Sequence, residues 1–226
     1  MAIEATPNDA VARWSAVLDE QERARADRLR FASDRQTYIA AHAMTRMLLA
    51  AVGGLPAQQW RFVTSPTGKP AIASVAGEPP LRFNLSHTKG LVTCAVGFGH
   101  DVGIDVEVGD QIEDELGLAE RFFAPGEVSL LRGVSADRRR ETFLQIWTLK
   151  EAYIKTTGAG LTCPLAGFTF GFDPIHIRFG PDIADDPANW QFFQWRPTDR
   201  HQIALAARHV PAKLRVVRRR MNWEDL

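Results

Sequence analysis

Residues 137–160, DRRRETFLQIWTLKEAYIKTTGAG, carry apolar residues at helical spacing and stop on glycine. Trp147, Glu151 and Lys155 fall four residues apart, so on a helix they share one face. A ring, a carboxylate and an ammonium in one row describe either a half-exposed structural pair or a carboxylate held in a pocket. A second run of the same kind, DRQTYIAAHAMTRMLLAAVGG at 34–54, opens on Asp34 as an N-terminal cap and stops on Gly53-Gly54. Two long helices of one design point to a chain built in two similar halves.

Strand-like runs follow each helix. RFNLSHT (82–88), GLVTCAVGF (90–98) and DVGIDVEV (101–108) come after the first; FTFGF (168–172), IHIRF (175–179), WQFFQW (190–195) and HQIALAARHV (201–210) come after the second. GLVTCAVGF and HQIALAARH take matching places behind their helices. The predicted fold class is α+β: each half is a long helix packed on a small, mostly antiparallel sheet, and a pseudo-twofold relates the two. A cleft between such halves is where ligand sites tend to form. The predicted division is 1–108 and 109–226. The stretch 109–128 then connects the halves, and VTSPTGKPAIASVAGEPP (63–80) is a surface excursion.

Composition narrows the function classes. Hydrophobic residues make up 45% and charged residues 24%, an ordinary globular balance. Lys and Arg number 27, as do Asp and Glu, so no global field draws nucleic acid or an acidic membrane. MAIEATPNDAVARW lacks the basic start and apolar run of a signal peptide, and no stretch approaches the roughly 18 apolar residues of a membrane helix. Cys94 and Cys163 sit in apolar surroundings and read as buried, reduced thiols. A cytoplasmic location is expected, with neither nucleic acid nor membrane as partner.

The chemistry begins at GIDVE. Asp105 and Glu107, two apart on a strand, project to one face. Either that face is a solvated edge, or the two carboxylates share a cation. An all-oxygen site favours a hard ion, Mg²⁺ or Mn²⁺, over zinc. Glu151 offers a third oxygen ligand. Magnesium held by few carboxylates usually completes its shell with phosphate oxygens. Cations for such a phosphate are at hand: Lys155, Lys69 in TGKP, and Arg23, Arg25, Arg28 and Arg30 in ERARADRLRFASD. NLSHT adds Asn84, Ser86 and His87. The alternative for the arginines is a solvated helix face, and for His87 a structural role.

VGIDVE (102–107) followed by WTLKEAYIK (147–155) resembles the paired signature of the 4′-phosphopantetheinyl transferases. The upstream GKP and FNLSHT resemble elements of the larger, surfactin-synthetase-activating (Sfp) type. The resemblance covers roughly residues 20–210. It implies a holo-[acyl-carrier-protein] synthase activity: transfer of the phosphopantetheine arm of coenzyme A to a serine of an apo carrier protein, releasing adenosine 3′,5′-bisphosphate. It implies that Asp105, Glu107 and Glu151 hold Mg²⁺ on the diphosphate of coenzyme A. Glu151 is then also a candidate for the base that takes the serine proton, and Lys155 neutralises diphosphate or leaving-group charge. Ser86 and His87 match residues at the nucleotide end, His87 near the 3′-phosphate; Lys69 and Arg25, with Arg28 as substitute, match further cationic contacts. Because the chain carries both halves, a monomer is expected.

For the carrier, Phe122 and Phe123 in AERFFAPGEVSLL are either docking residues or core. The basic tail AKLRVVRRRMNWEDL (212–226) reads as a solvated edge strand. Another Mg²⁺-dependent phosphate activity is a competing reading, although the sequence has no G-x-x-x-x-G-K-[ST] loop. A nucleic-acid module using Arg215 and Arg218–Arg220, or an inactive carrier binder, are the others.

Overall fold

The structure, a computed structural model, describes residues 7–66, 68–73, 80–209 and 212–222. The chain divides into two compact units, Met1–Gly99 with Arg215–Leu226, and His100–Leu214.

The first unit opens with α1 (Asn8–Val17), α2 (Glu20–Asp27) and α3 (Ala32–Gly53). A capping box starts α2: Asp19 accepts from the Glu22 amide at 2.9 Å, and Glu22 accepts from the Asp19 amide at 3.0 Å. Asp34, expected as the cap of α3, sits instead in its first turn; the capping position is Phe31. There the carboxylate still faces the positive end of the helix. Gly54 ends α3 in the left-handed region, φ 79°, where a side chain would be strained. Ile39, Ala40, Ala43 and Met44 of α3 pack with Trp14 of α1 and with Val92.

The excursion at 63–80 is partly ordered as a hairpin. β1 (Phe62–Thr64) pairs antiparallel with β2 (Pro70–Ile72), while 67 and 74–79 lie outside the described residues. β3 (Leu81–Thr88) and β4 (Leu91–Phe98) form the main hairpin of this unit. Arg46, fully buried in α3, ties the layers together. Its guanidinium donates to Glu22 and Asp19, each at 2.7 Å, and to the Ala57 and Trp60 carbonyls, each at 3.0 Å. A buried charge persists where its donors are this fully matched.

The second unit holds β5 (Val102–Val108), α4 (Glu115–Phe122), α5 (Pro125–Gly133), α6 (Ala136–Thr157), β6 (Phe168–Phe172), β7 (Ile175–Phe179), β8 (Trp190–Thr198) and β9 (His201–Arg208). Its sheet is antiparallel in the order β5-β9-β8, and β6 pairs with β7. The strand GIDVE therefore falls in this unit rather than in a first half ending at 108, because it bonds to β9 from Val102↔Ala207 to Val108↔His201. The presumed connection 109–128 is mostly helix, α4 and the start of α5. Phe123 is 3% exposed and stacks on Phe143 at 5.1 Å, so it is core; Phe122 is partly buried beside it. Like α3, α6 has 22 residues and ends on a left-handed glycine, Gly158, φ 71°.

The tail forms no strand among its described residues. Gln191 holds its start through the Ala212 carbonyl and the Leu214 amide, and Met221 packs against the first unit's core. Both cysteines are free and partly buried; burial raises both thiols, that of Cys94 to about 12. No described helix is long and apolar enough to cross a membrane.

Candidate active site

Three positions of β5 face α6. Gly103 lies beneath Ala152 and Thr156, so close that an added methyl group would run into the Ala152 carbonyl and the Thr156 backbone. The period of two then turns Asp105 and Glu107 to the same side. Helix and strand run in opposite senses: Thr156 lies by residue 103, Lys155 by 105 and Trp147 by 107. The spans match, since four strand steps and nine helical steps each cover about 13 Å. On β9, Ala206 and Ala204 stand opposite Gly103 and Asp105, small neighbours that let α6 approach.

Four side chains converge. Asp105 is 2% exposed, and its Oδ1 accepts from Lys155 Nζ at 2.6 Å. Glu107 and Glu151 are half-buried. Burial, then the Asp105 charge, push Glu107 up to about 7, with Glu151 adding to the rise. Lys155 and the nearby Trp147 side chain pull the other way. Glu151 is also raised, by burial first and then by Asp105, against Lys155. The result is a group of carboxylates that repel one another in a partly dry place, with one ammonium among them.

Among the described residues, no three His, Cys, Asp or Glu side chains form a group arranged to hold a metal ion. The expected trio is thus not drawn in as a closed cage, and Asp105 is engaged by Lys155 instead. By donor chemistry the trio still suits a hard cation, being oxygen throughout and mutually repulsive.

Lys150, next to Glu151 in sequence, points about 100° further round α6. It is fully buried, 2.8 Å from Glu127, and donates to the Leu165 and Phe168 carbonyls at 2.7 and 2.6 Å. Glu127 in turn accepts from the Ala124 and Phe170 amides. This clamp joins α5, α6 and β6. Burial lowers the Lys150 pKa, and Glu127 opposes that.

The other residues expected at the coenzyme lie in the first unit. Ser86 and His87 are on β3, opposite Thr93 and Val92; Ser86 is buried and His87 exposed. Lys69 sits in the β1–β2 turn, where its amide donates to Ser65 Oγ at 3.0 Å. Arg23 and Arg25 on α2, and Arg28 and Arg30 after it, are all exposed. Sequence reasoning missed two residues of the second unit. Trp147 lies close enough to Glu107 to bear on its carboxylate, and Gly103 sets the helix–strand distance. Both signals were in the motifs: Trp147 shares the Glu151 row, and Gly103 is two residues before Asp105.

Comparison with known proteins finds matches along most of the chain. The family model "4′-phosphopantetheinyl transferase superfamily" matches residues 101–206, and "4′-phosphopantetheinyl transferase, N-terminal" matches 6–98. The 4′-phosphopantetheinyl transferase HetI of Nostoc sp. is 36% identical over 196 residues, 85% of this chain and 79% of that protein. A 4′-phosphopantetheinyl transferase of Bacillus subtilis is 30% identical over 198 residues, 87% of this chain and 85% of its own. The Sfp enzyme of Bacillus subtilis strain 168 is 30% identical over 157 residues, 70% of this chain and 67% of its own. The chain belongs to the 4′-phosphopantetheinyl transferase superfamily and, within it, to the Sfp type.

Proposed function

We propose that this chain transfers the 4′-phosphopantetheine arm of coenzyme A to a serine hydroxyl of an apo acyl or peptidyl carrier protein, in a Mg²⁺-dependent reaction in the cytoplasm. The observation that carries the reading is the meeting of Asp105, Glu107, Glu151 and Lys155 between β5 and α6. The serine oxygen attacks the phosphorus that bears the pantetheine arm. The bond from that phosphorus to the bridging oxygen breaks, and adenosine 3′,5′-bisphosphate leaves.

Such a displacement asks for alignment and charge neutralisation more than for covalent help. Asp105, Glu107 and Glu151 would hold Mg²⁺, which supplies Lewis-acid neutralisation of the diphosphate when bound. Lys155 supplies a fixed positive charge beside it. Glu151 takes the serine proton, directly or through a water. Burial and Asp105 raise its pKa in the metal-free protein, and Mg²⁺ bound to it would lower that pKa again, so the ligand and base roles oppose each other. Ser86, His87, Lys69 and Arg25 contribute to the nucleotide end of coenzyme A, and the working form is a monomer.

The test is intact-mass spectrometry of an apo acyl carrier protein incubated with the chain, coenzyme A and Mg²⁺, with an EDTA control. A gain of one phosphopantetheine arm, absent with EDTA, is expected. Absence of any gain on fatty-acid, polyketide and peptide carriers alike would overturn the reading. Asp105→Ala should abolish the metal-dependent gain, and Glu151→Gln should not reach the native rate.

A further inference from the structure

The stretch 212–222, AKLRVVRRRMN, is held at both ends. Near its start one side-chain amide takes up two backbone groups, as a neighbouring strand would. Gln191 Nε2 donates to the Ala212 carbonyl at 2.7 Å, and Gln191 Oε1 accepts from the Leu214 amide at 2.9 Å. Near its end Met221 packs against the core cluster that includes Trp14 and Met44. Between these anchors exposure alternates, as in extended chain. Leu214 and Val216 are half-buried, while Lys213, Arg215 and Val217 face solvent. Arg218, Arg219 and Arg220 follow, all exposed.

Lys213, Arg215, Arg218, Arg219 and Arg220 put five cations in eleven residues, with no acid among them. The chain as a whole has 27 basic and 27 acidic residues, so this charge is local rather than shared by the surface. Several exposed arginines elsewhere stand against carboxylates: Arg132 on Glu120 at 2.6 Å, Arg140 on Glu115 at 2.8 Å, Arg196 on Glu141 at 3.1 Å. Among the described residues, Arg215, Arg219 and Arg220 have no such partner. Like charges this close repel, and an unanchored segment would spread them apart in water. The anchors keep them together, so part of the ordering cost is met before a partner arrives.

An acidic protein surface fits this strip. Val217 is 64% exposed in the middle of the cations, and an apolar contact with a charged rim is how protein interfaces are built. The described residues of the strip include no aromatic ring on which a base could stack. Resting on the transferase reading above, we propose that residues 212–222 form a docking strip for the apo carrier protein, with Arg215, Arg219 and Arg220 facing carboxylates of the carrier around a contact on Val217. Charges at the rim of an interface act on the rate of encounter and its salt dependence more than on later steps. The strip therefore raises kcat/KM for the carrier and leaves the handling of coenzyme A alone.

The test compares the unaltered chain with Arg219→Glu/Arg220→Glu in steady-state transfer to an apo acyl carrier protein. Arg178→Glu, an exposed charge on β7, controls for overall charge. At an ionic strength of about 0.05 M the double variant should show kcat/KM for the carrier about 10-fold lower. Its KM for coenzyme A should stay native, which also shows that it has folded. Raising the ionic strength to about 0.5 M should shrink the gap, because screening removes what the arginines add. Native kcat/KM in the double variant, an equal loss in Arg178→Glu, or a loss confined to coenzyme A would overturn the inference. A second result overturns it in favour of nucleic acid: duplex DNA retarded in a gel by the unaltered chain, not by the double variant, with carrier kinetics native in both. If the unaltered chain modifies no carrier, the transferase reading fails and takes the inference with it, an outcome distinct from all of these.

Discussion

Lys155 Nζ lies 2.6 Å from Asp105 Oδ1, with Asp105 almost fully buried and Lys155 28% exposed. The more mobile end of this pair is the ammonium, on a four-carbon stem near the surface. It can therefore neutralise Asp105 in the unliganded protein and a diphosphate once one is present, while the carboxylate stays where β5 holds it. If that charge acts mainly on the transition state, Lys155→Ala should lower kcat for carrier modification by about 10²–10³ while KM for coenzyme A changes much less. Steady-state kinetics on an apo carrier decide it. A rise in KM at unchanged kcat would reassign Lys155 to ground-state binding.

Gly103 has a more mechanical part. No side chain fits between β5 and the Ala152–Thr156 turn of α6, and that spacing sets where Glu151 and Lys155 stand over Asp105. Gly103→Ala should cost about 1–3 kcal/mol of stability, as overpacked sites do. It should also lower transfer more steeply than the stability loss explains, because helix and strand separate at the site. Urea melts and the mass assay on the same preparation check both. An active variant of native stability would show that the helix can shift without consequence.

Much of this was legible beforehand, for physical reasons. The periods of α6 and of GIDVE are local properties, so they placed Asp105, Glu107, Glu151 and Lys155 on the faces that meet. Strand partnership is not local. DVGIDVEV follows the first helix in sequence yet bonds to β9 some hundred residues later, which is why a boundary at 108 misassigned it. Helices at 109–128 were hidden because α4 and α5 have only eight and nine residues, too short for periodicity to stand out. The tail misled for another reason: its alternation resembles a strand, but Gln191 takes up backbone groups at its start.

Lys150 and Glu151 are adjacent and have opposite fates, which yields a contrast. Lys150 is a structural cation, with Glu127 and two carbonyls around it and the Phe168 ring 4.4 Å away. Lys150→Ala leaves the Glu127 carboxylate buried without its counter-charge. The expected loss is about 3–5 kcal/mol of stability. Lys150→Met with Glu127→Gln should recover part of that loss, since two neutral groups replace a broken pair. Thermal melts measure the loss, and Glu151→Gln is the control. That change should leave the melting temperature at or above native while removing activity. A Lys150→Ala protein of native stability would mean that the clamp is not what holds α5, α6 and β6 together.

Stability should also depend on pH through the carboxylate group. Glu107 has a pKa near 4.5 when unfolded and about 7 when folded, raised by burial and by Asp105. Between those values the folded chain keeps a proton that the unfolded chain has released. Stability is therefore fully present below pH 4.5 and falls as pH rises through 7. Glu151 is shifted in the same direction and adds to the slope. For Glu107 alone the loss is at most about 3 kcal/mol. The metal-free protein in EDTA should thus melt at progressively lower temperature from pH 5 to pH 8, and Glu107→Gln should flatten the profile. Mg²⁺ with coenzyme A should restore the loss at pH 8, because a bound cation favours the ionised carboxylates. Melting curves across this range are enough. A flat profile in the unaltered protein would mean that the three carboxylates are better solvated than their burial indicates.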